Sequence, residues 1–408
     1  MTRTTCCVVG GGPAGMMLGL LLARAGVEVT VLEKHGDFLR DFRGDTVHPT
    51  TMVLLDELGL GEQFDKMPQS RLDTIRVPTA EGMTPFGDLT RLRGKRPYIA
   101  MVPQWDLLDL LAEAGRAEPG FTLRMNTEAT ELIRSGDRIS GVRYRESNGT
   151  EGEIHAELTV ACDGRGSVLR HGAGLRPREW TTPMDAWWFK LPRKDSDPAG
   201  GLGLFSNQRA TIFIDRGDYW QTAALIPKGT DSRVRTGEVS TIVKDLAEPL
   251  PWLADRTDAL RSWDEVKLLD VRLDRLRTWH RDGLLCIGDA AHAMSPVGGV
   301  GINLAIQDAV AAARLLAAPL RTGRPSTRDL ARVRRRRLPA TVLTQLLQRT
   351  LHARALAPAL DGKIDIIHGA KPPLPLRLMR RWPALQGIPA YVLGRGVRPE
   401  RAPRFARR

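Results

Sequence analysis

Cysteine is scarce and unpatterned in this chain. Cys6, Cys7, Cys162 and Cys286 form no C-x-x-C pair and no metal-ligand spacing, which argues against a disulfide scaffold and a zinc ribbon. Each falls in or beside an apolar β-like run, where a thiol packs as a small hydrophobe. Long apolar runs are missing too: no stretch approaches the roughly 18 uncharged residues that span a bilayer. The run from Met16 to Leu22 lies behind three glycines, where a secretory leader carries basic residues. We therefore expect a cytoplasmic protein with no transmembrane segment and no metal. Internal repeats are absent, as is a second glycine-rich strand–turn–helix unit, since Gly200-Gly201-Leu202-Gly203 lacks the flanking elements.

Basic residues outnumber acidic ones, 60 to 47, but the excess is not spread evenly. It gathers in Arg332 to Arg337 (R-V-R-R-R-R) and from Leu376 to Arg408. Such a run is ordinarily the solvated face of a helix, and no aromatic residues interleave with it as in a nucleic-acid channel. No nucleic-acid partner is expected. Peripheral membrane contact by the basic C-terminal region is the alternative use of this charge.

What is present reads as an α/β fold. With 408 residues and 42% hydrophobic composition, two or three units are expected. Cys6 to Val9, Gly10 to Gly15, the apolar run to Ala25 and Val27 to Leu32 spell strand, tight turn, helix, strand. From Gly174 to about Leu276 come short strands with aromatics, Trp187-Trp188-Phe189, Thr211 to Asp215 and Tyr219 to Ile226, separated by turn residues: a mostly antiparallel inserted sheet. The first pattern returns at Leu284 to Ile287, with a helix from Asn303 to Ala317 and further helix to about Leu356. The expected organisation is a discontinuous Rossmann-like domain with a parallel sheet at 1–173 and 277–320, carrying a β excursion around 70–100. A β-sheet substrate domain fills 174–276, and a helical, Pro-rich segment 321–408 wraps the surface.

Gly10-x-Gly12-x-x-Gly15 opens a helix directly after a strand, and Glu33 closes the next strand. The first glycine permits the tight turn, the second lets a pyrophosphate approach the backbone, and the third lets the helix pack on the strand. The helix N-terminus then offers free N–H groups to phosphates, and Glu33 accepts hydrogen bonds from a ribose. This fingerprint does not distinguish FAD from NAD.

Two further segments do. Asp163-Gly164-x-x-Ser167-x-x-Arg170 follows the apolar strand Leu158 to Cys162, and Gly288-Asp289-Ala290-Ala291-His292 follows Leu284 to Ile287. With these, over nearly its whole length, the chain resembles the para-hydroxybenzoate hydroxylase family of single-component FAD monooxygenases. The resemblance implies noncovalent FAD, with Asp289 on a ribityl hydroxyl; the alternative is that Asp289 only caps a helix or turn. Pro296-Val297-Gly298-Gly299-Val300-Gly301-Ile302-Asn303 resembles the loop lying against the isoalloxazine ring, with Pro296 and Gly298 nearest the chemistry and Gly301, Ile302 and Asn303 on the cofactor. Glycines let the main chain reach ring oxygens, and the helix N-terminus stabilises negative charge. Arg43 and Gln104 match positions that contact the phosphates and ribityl chain. Asp163 either braces the backbone or meets FAD and the pyridine nucleotide; Arg170 pairs with it or with a phosphate. His292 is read as supporting Asp289 or as an acid/base, and His48 as a residue facing the flavin with no assigned proton transfer.

The function so implied is an NAD(P)H-consuming hydroxylation or epoxidation of an organic, aromatic or polyketide-like substrate by one atom of O2, through a flavin C4a-hydroperoxide. The protein's part is to place the substrate and exclude water. Trp187, Trp188, Phe205, Phe213 and Trp220 are candidates to line the pocket, although strand alternation sends about half of such residues into the core. The Trp-x-Trp-x-Ile-Pro segment of flavin-dependent halogenases is missing. A dehydrogenase or reductase of the same fold and a non-catalytic basic interaction protein are the rival readings; a monomer or homodimer is expected.

Overall fold

The computed structural model describes residues 2–39, 46–79, 82–198, 202–206, 209–362 and 374–408. Strand β1 (Thr2–Val9) runs through the middle of an eight-stranded sheet, with β2 (Val29–Leu32) and β6 (Glu151–Ala161) parallel on either side. β5 (Phe121–Arg124) extends the sheet beyond β2, and β13 (Leu284–Cys286) extends it beyond β6, both in parallel. Parallel strands covered on both faces read as unbroken apolar runs, which is why Cys6, Cys7 and Cys286 sit there fully buried. An antiparallel hairpin, Thr127–Ser135 and Arg138–Glu146, is attached to β6.

Helix α1 (Pro13–Arg24) is apolar on every side and buries all residues from Ala14 to Ala23. It earns that burial by lying between the sheet and α5 (Gly301–Thr322). α5 begins two residues before the expected Asn303, because Gly298 and Gly299, at φ +84° and +60°, complete the turn early. By length and composition α5 would pass for a membrane span, although Asp308 and Arg314 interrupt its apolar run. Yet 78% of its apolar window is buried inside the fold, so the run is apolar because it is a core helix.

The inserted region forms a five-stranded antiparallel sheet in the order Leu202–Ser206, β9 (Arg209–Asp215), β10 (Tyr219–Pro227), β8 (Met184–Pro192) and β11 (Lys267–Leu269). One face is closed by α4 (Thr241–Ala247) and the 3-10 turns after it. A separate ladder, β7 (Pro177–Trp180) with β12 (Leu273–Leu276), links this sheet to the parallel one.

After α5 comes α6 (Thr327–Leu351), started by a Ser326/Asp329 capping box and ended by one π-helical turn, His352–Leu356. Its polarity is inverted. Arg337, Thr341, Gln345 and Gln348 point inward, while Val342, Leu343, Leu346, Leu347 and Leu351 are exposed. The arginine run is accordingly not a simple solvated face. Arg337 is fully buried, its Nε donating to Asp308 at 2.9 Å, and Arg336 pairs at 2.6 Å with the buried Glu400. A buried arginine requires such a partner, and here the buried acids on α5 and near the C-terminus supply it.

Candidate cofactor and substrate site

The Gly10–Gly15 turn has the shape of a cradle. A Cβ on Gly10 would fall 2.3 Å from the Cys162 carbonyl oxygen, and one on Gly15 would fall 1.9 Å from the Gly10 carbonyl oxygen. Both positions exclude any side chain, the first at φ +106°. Gly12, the N-cap of α1, faces the other way, and among the described residues nothing beyond its own helix and chain neighbours lies within 4 Å of its missing Cβ, leaving room for a bulky group against the helix N-terminus. Glu33 is buried at the end of β2, where its carboxylate accepts from Gly11 N at 2.9 Å and His35 N at 3.1 Å. Gln104 is the first residue of α3 (Gln104–Arg116) and is half-buried. Arg43 lies outside the described residues.

Asp163 follows β6, and its Oδ2 accepts from Leu169 N at 3.3 Å, so it braces its own loop. Burial pushes its carboxyl up, opposed by hydrogen bonds from Ser167 and nearby amides. Arg170 pairs with neither Asp163 nor an open phosphate position. It is buried, donates to the carbonyls of Arg165 at 2.7 Å and Ala290 at 3.3 Å, and lies 3.8 Å from Asp274, stapling the D-G loop to the G-D loop. Asp289 stands half-exposed in a 3-10 turn, with Arg165 Nη2 3.5 Å away. His292 points into the core: its Nε2 is 2.6 Å from Asp308 Oδ2, and its ring lies against Trp279. Burial pushes Asp308 up, but the charges and hydrogen bonds of His292 and Arg337 outweigh that and hold it below the usual carboxylate range. His292 thus pairs with Asp308 and not with Asp289.

The glycine loop is held from three directions. First, Asn303 Oδ1 accepts from His48 N at 2.9 Å and Thr51 Oγ1 at 2.7 Å, while its Nδ2 donates to Thr46 O at 3.1 Å and Gly299 O at 3.3 Å. The Asn303 side chain is thus consumed in tying α5 to β3 (Thr46–Val47) and α2 (Pro49–Glu57). Second, Thr46 Oγ1 donates to Gly299 O at 2.7 Å, and a Cβ on Gly299 would strike that hydroxyl at 2.2 Å. Third, His48 Nδ1 is 2.6 Å from the Leu393 carbonyl of α7 (Gly387–Gly394). A carbonyl only accepts, so Nδ1 carries the hydrogen. Burial drives the imidazole down to about 4, against the pull of the Leu393, Gly298 and Gly299 carbonyls, so His48 is neutral at physiological pH.

Sequence reasoning missed a further clamp. Gln348 Oε1 accepts from Ser295 N at 3.2 Å, and its Nε2 donates to Ser295 O and Val297 O, both at 2.9 Å. His352 Nε2 lies 2.9 Å from Ser295 Oγ, and Gln345 Nε2 donates to Asp274 O at 2.7 Å and Ala293 O at 3.2 Å. Gln345, Gln348 and His352 share one helical stripe, a polar row opposite exposed leucines, and that inverted pattern was the available signal.

The sequence profile of the family described as "FAD binding domain" matches residues 3–346. The chain belongs to the para-hydroxybenzoate hydroxylase-like family of FAD-dependent monooxygenases. It is 36% identical over 347 residues to the 6-methylpretetramide 4-monooxygenase of Streptomyces rimosus, covering 83% of this chain and 81% of the relative. Among solved structures it is similar to the anhydrotetracycline hydroxylase of S. rimosus, with a TM-score of 0.74 and 22% identity over 96% of this chain and 76% of that one. A flavin-dependent brominase, Bmp2, has a TM-score of 0.76 at 17% identity over 96% and 94%. The fold therefore spans both chemistries.

The residues present fit FAD, because the cradle open at Gly12, the anchored Glu33 and the half-exposed Asp289 offer phosphate and hydroxyl partners of the required kinds. In this flavoprotein monooxygenase the two faces of the inserted sheet differ. Trp187, Phe213 and Trp220, expected in the substrate pocket, are fully buried on the face closed by α4. Their polar edges are satisfied there: Trp187 Nε1 donates to Asp231 at 2.7 Å and Trp220 Nε1 to Asp197 at 2.9 Å. Strand alternation explains the correction, since odd-numbered β8 positions belong to the core face. The other face carries Met184, Ala186, Ala210 and Leu225, clustered with Val297 of the glycine loop, with half-buried Trp188 and with Leu356 and Leu360. Ile212, paired with Ala223 on this face, is 51% exposed. Phe205 is in register with Ala210; its side chain lies outside the described residues.

Proposed function

We propose that the protein inserts one atom of O2 into an aromatic or polyketide-like organic substrate at the expense of NAD(P)H, the second oxygen atom leaving as water. The observation that carries this reading is the packing of Val297, inside the glycine loop, with Ala186, Ala210 and Leu225 of the inserted sheet. The wall available to a flat apolar substrate is thus continuous with the loop that borders the cofactor ring. The 36% identical relative, named for oxidation of 6-methylpretetramide, supports the substrate class.

Bound FAD supplies hydride acceptance and oxygen activation. This chain's residues bind and orient. Gly10, Gly12 and Gly15 open the α1 N-terminus to the pyrophosphate, Glu33 and Asp289 hold hydroxyls, and Arg43, Gln104 and Asp163 complete the cofactor contacts. Pro296 to Ile302 present main chain to the ring, and the first turn of α5 adds positive potential. Neutral His48 keeps α7 against the loop and moves no proton. On this reading residues 1–173 and 277–320 form the FAD domain, 174–276 the substrate sheet, and 321–408 the clamp that steadies the loop. The enzyme works in the cytoplasm as a monomer or homodimer.

Isotopic oxygen gives the test. Turnover under labelled O2 should place one labelled atom in the product per NAD(P)H coupled; an oxidised product free of label would mean dehydrogenation instead.

A further inference from the structure

In the β7–β12 ladder Arg178 stands directly opposite Arg275. Like charges at directly opposed positions of an antiparallel pair repel, so this register costs stability unless something compensates. Among the described residues no carboxylate does. The guanidinium carbons of Arg178, Arg275 and Arg349 lie 5.3, 5.1 and 5.2 Å from the centroid of the Trp180 ring. Glu179, between Arg178 and Trp180 in the chain, is opposite Asp274 and therefore on the other face of the ladder.

The cluster is rich in donors and poor in acceptors. Arg275 Nη1 donates to Gln345 Oε1 at 2.9 Å, and Trp180 Nε1 is buried with no acceptor among the described residues. Arg334 Nε, on the same stripe of α6 as Gln345, is likewise buried and unmatched. Burial, together with the charges of Arg178, Arg334 and Arg349, holds Arg275 below the usual arginine range. Stacking on an indole offsets part of the repulsion, but it supplies no oxygen to the guanidinium forks.

We propose that Arg178, Arg275, Arg349 and Trp180 form a binding site for a phosphate-bearing anion. Two exposed arginines and one half-buried one converge on a single ring, and a doubly charged phosphate matches their planar forks while cancelling the repulsion. This assignment does not depend on the chemistry proposed for the flavin.

Thermal unfolding of the FAD-loaded enzyme in pyrophosphate, against sodium chloride of equal ionic strength, tests it. The wild type should gain Tm saturably, because a ligand bound only by the folded state stabilises it. Arg178→Gln should match or exceed the wild-type Tm without pyrophosphate, since a repulsion is removed, and should lose most of the gain with it. Arg178→Lys should retain part. Titration calorimetry should show Kd weakened tenfold or more in the exposed variant Arg349→Gln, whose folding is not in question. Equal gains in wild type and Arg178→Gln, or no heat with pyrophosphate, would overturn the proposal. Two further arms identify the source. A KM for NADPH raised in Arg349→Gln, with that for NADH unchanged, assigns the site to the nucleotide. Wild-type cosedimentation with phosphatidylglycerol vesicles, lost in the variant, assigns it to a lipid headgroup. Pyrophosphate binding with neither leaves a free phosphate ester.

Discussion

The two ends of the proposed cofactor site, the phosphate cradle and the glycine loop assigned to the ring, are held by different means. At the phosphate end the shape is set by backbone: Gly10 and Gly15 admit no Cβ, and the whole device occupies six consecutive residues. At the ring end the glycine loop is held by the side chains of Thr46 and Gln348, which are distant in sequence, and by that of Asn303, itself fixed by the backbone N–H of His48. The first device is rigid because its atoms are covalent neighbours. The second depends on hydrogen bonds among buried polar groups, each contributing about 0.5–1.5 kcal/mol when made and costing about 1–3 kcal/mol when one partner is removed. Damage at the first end should therefore abolish cofactor binding, and damage at the second should loosen placement.

The largest effect is expected from Gly15→Val. Its side chain meets the Gly10 carbonyl at 1.9 Å even at Cβ, so α1 must move off β1, at a cost beyond the ~1–3 kcal/mol of ordinary overpacking. The purified variant should be colourless or insoluble. A variant that eluted from gel filtration with a full complement of FAD would show the cradle to be more compliant than its geometry implies.

Second is a pH effect confined to the ring end. His48 is pushed from the ordinary 6.5 to about 4 in the folded state, so the unfolded chain binds the proton more readily. Stability is complete above pH 6.5 and is lost as pH falls toward 4, by about 3 kcal/mol from this group. Burial lowers His352 too, adding loss of the same sign. Denaturant melts of wild type and His48→Gln across pH 4–7.5 should show a shallower slope in the variant. Parallel slopes would mean that His48 does not stay neutral where it lies.

Third is Gln348→Leu, nearly isosteric and apolar. It strands Ser295 N, Ser295 O and Val297 O in the interior, a cost of about 2 kcal/mol or more. FAD content should remain near one equivalent while product formed per NAD(P)H consumed falls and hydrogen peroxide rises, because the loop no longer sits in one place. Gln348→Glu should not rescue coupling, since a carboxylate cannot donate to the two carbonyls. Unchanged coupling in a folded Gln348→Leu enzyme would remove α6 from any part in loop placement.

The same contrast explains what the sequence made legible. Gly10 to Gly15, Glu33 and the G-D turn are local devices, and each falls where its residue type was expected. The parallel sheet was readable from runs such as Cys6 to Val9 that burial on both faces demands. The ring-end knot was not readable, because Asn303 and His48 have no sequence relation until the fold brings the His48 N–H onto the Asn303 side chain. The aromatic strands were recognisable as strands, but one residue of register decides which face Trp187 joins. The arginine run misled because charge alone does not announce a buried acid such as Asp308; only the fold sets Arg337 beside it.

The smallest effect should come from Gly298→Ala, which separates conformation from contact at the ring end. Gly298 has φ +84°, a region an alanine adopts at a cost of about 1 kcal/mol. Its Cβ would lie 3.3 Å from the Leu393 Cδ2 methyl, the far end of a flexible side chain on α7 that can yield. The hydrogen bonds of Asn303, Thr46 and Gln348 do not involve residue 298, so the knot should persist around a slightly strained loop. The expected result is a Tm lower by a few degrees, full FAD content and coupling reduced by less than in Gln348→Leu. If Gly298→Ala instead uncoupled the enzyme more severely than Gln348→Leu at equal FAD content, the backbone conformation of the loop, and not the side chains gripping it, would govern substrate placement, and both ends of the site would then be held by the same kind of constraint.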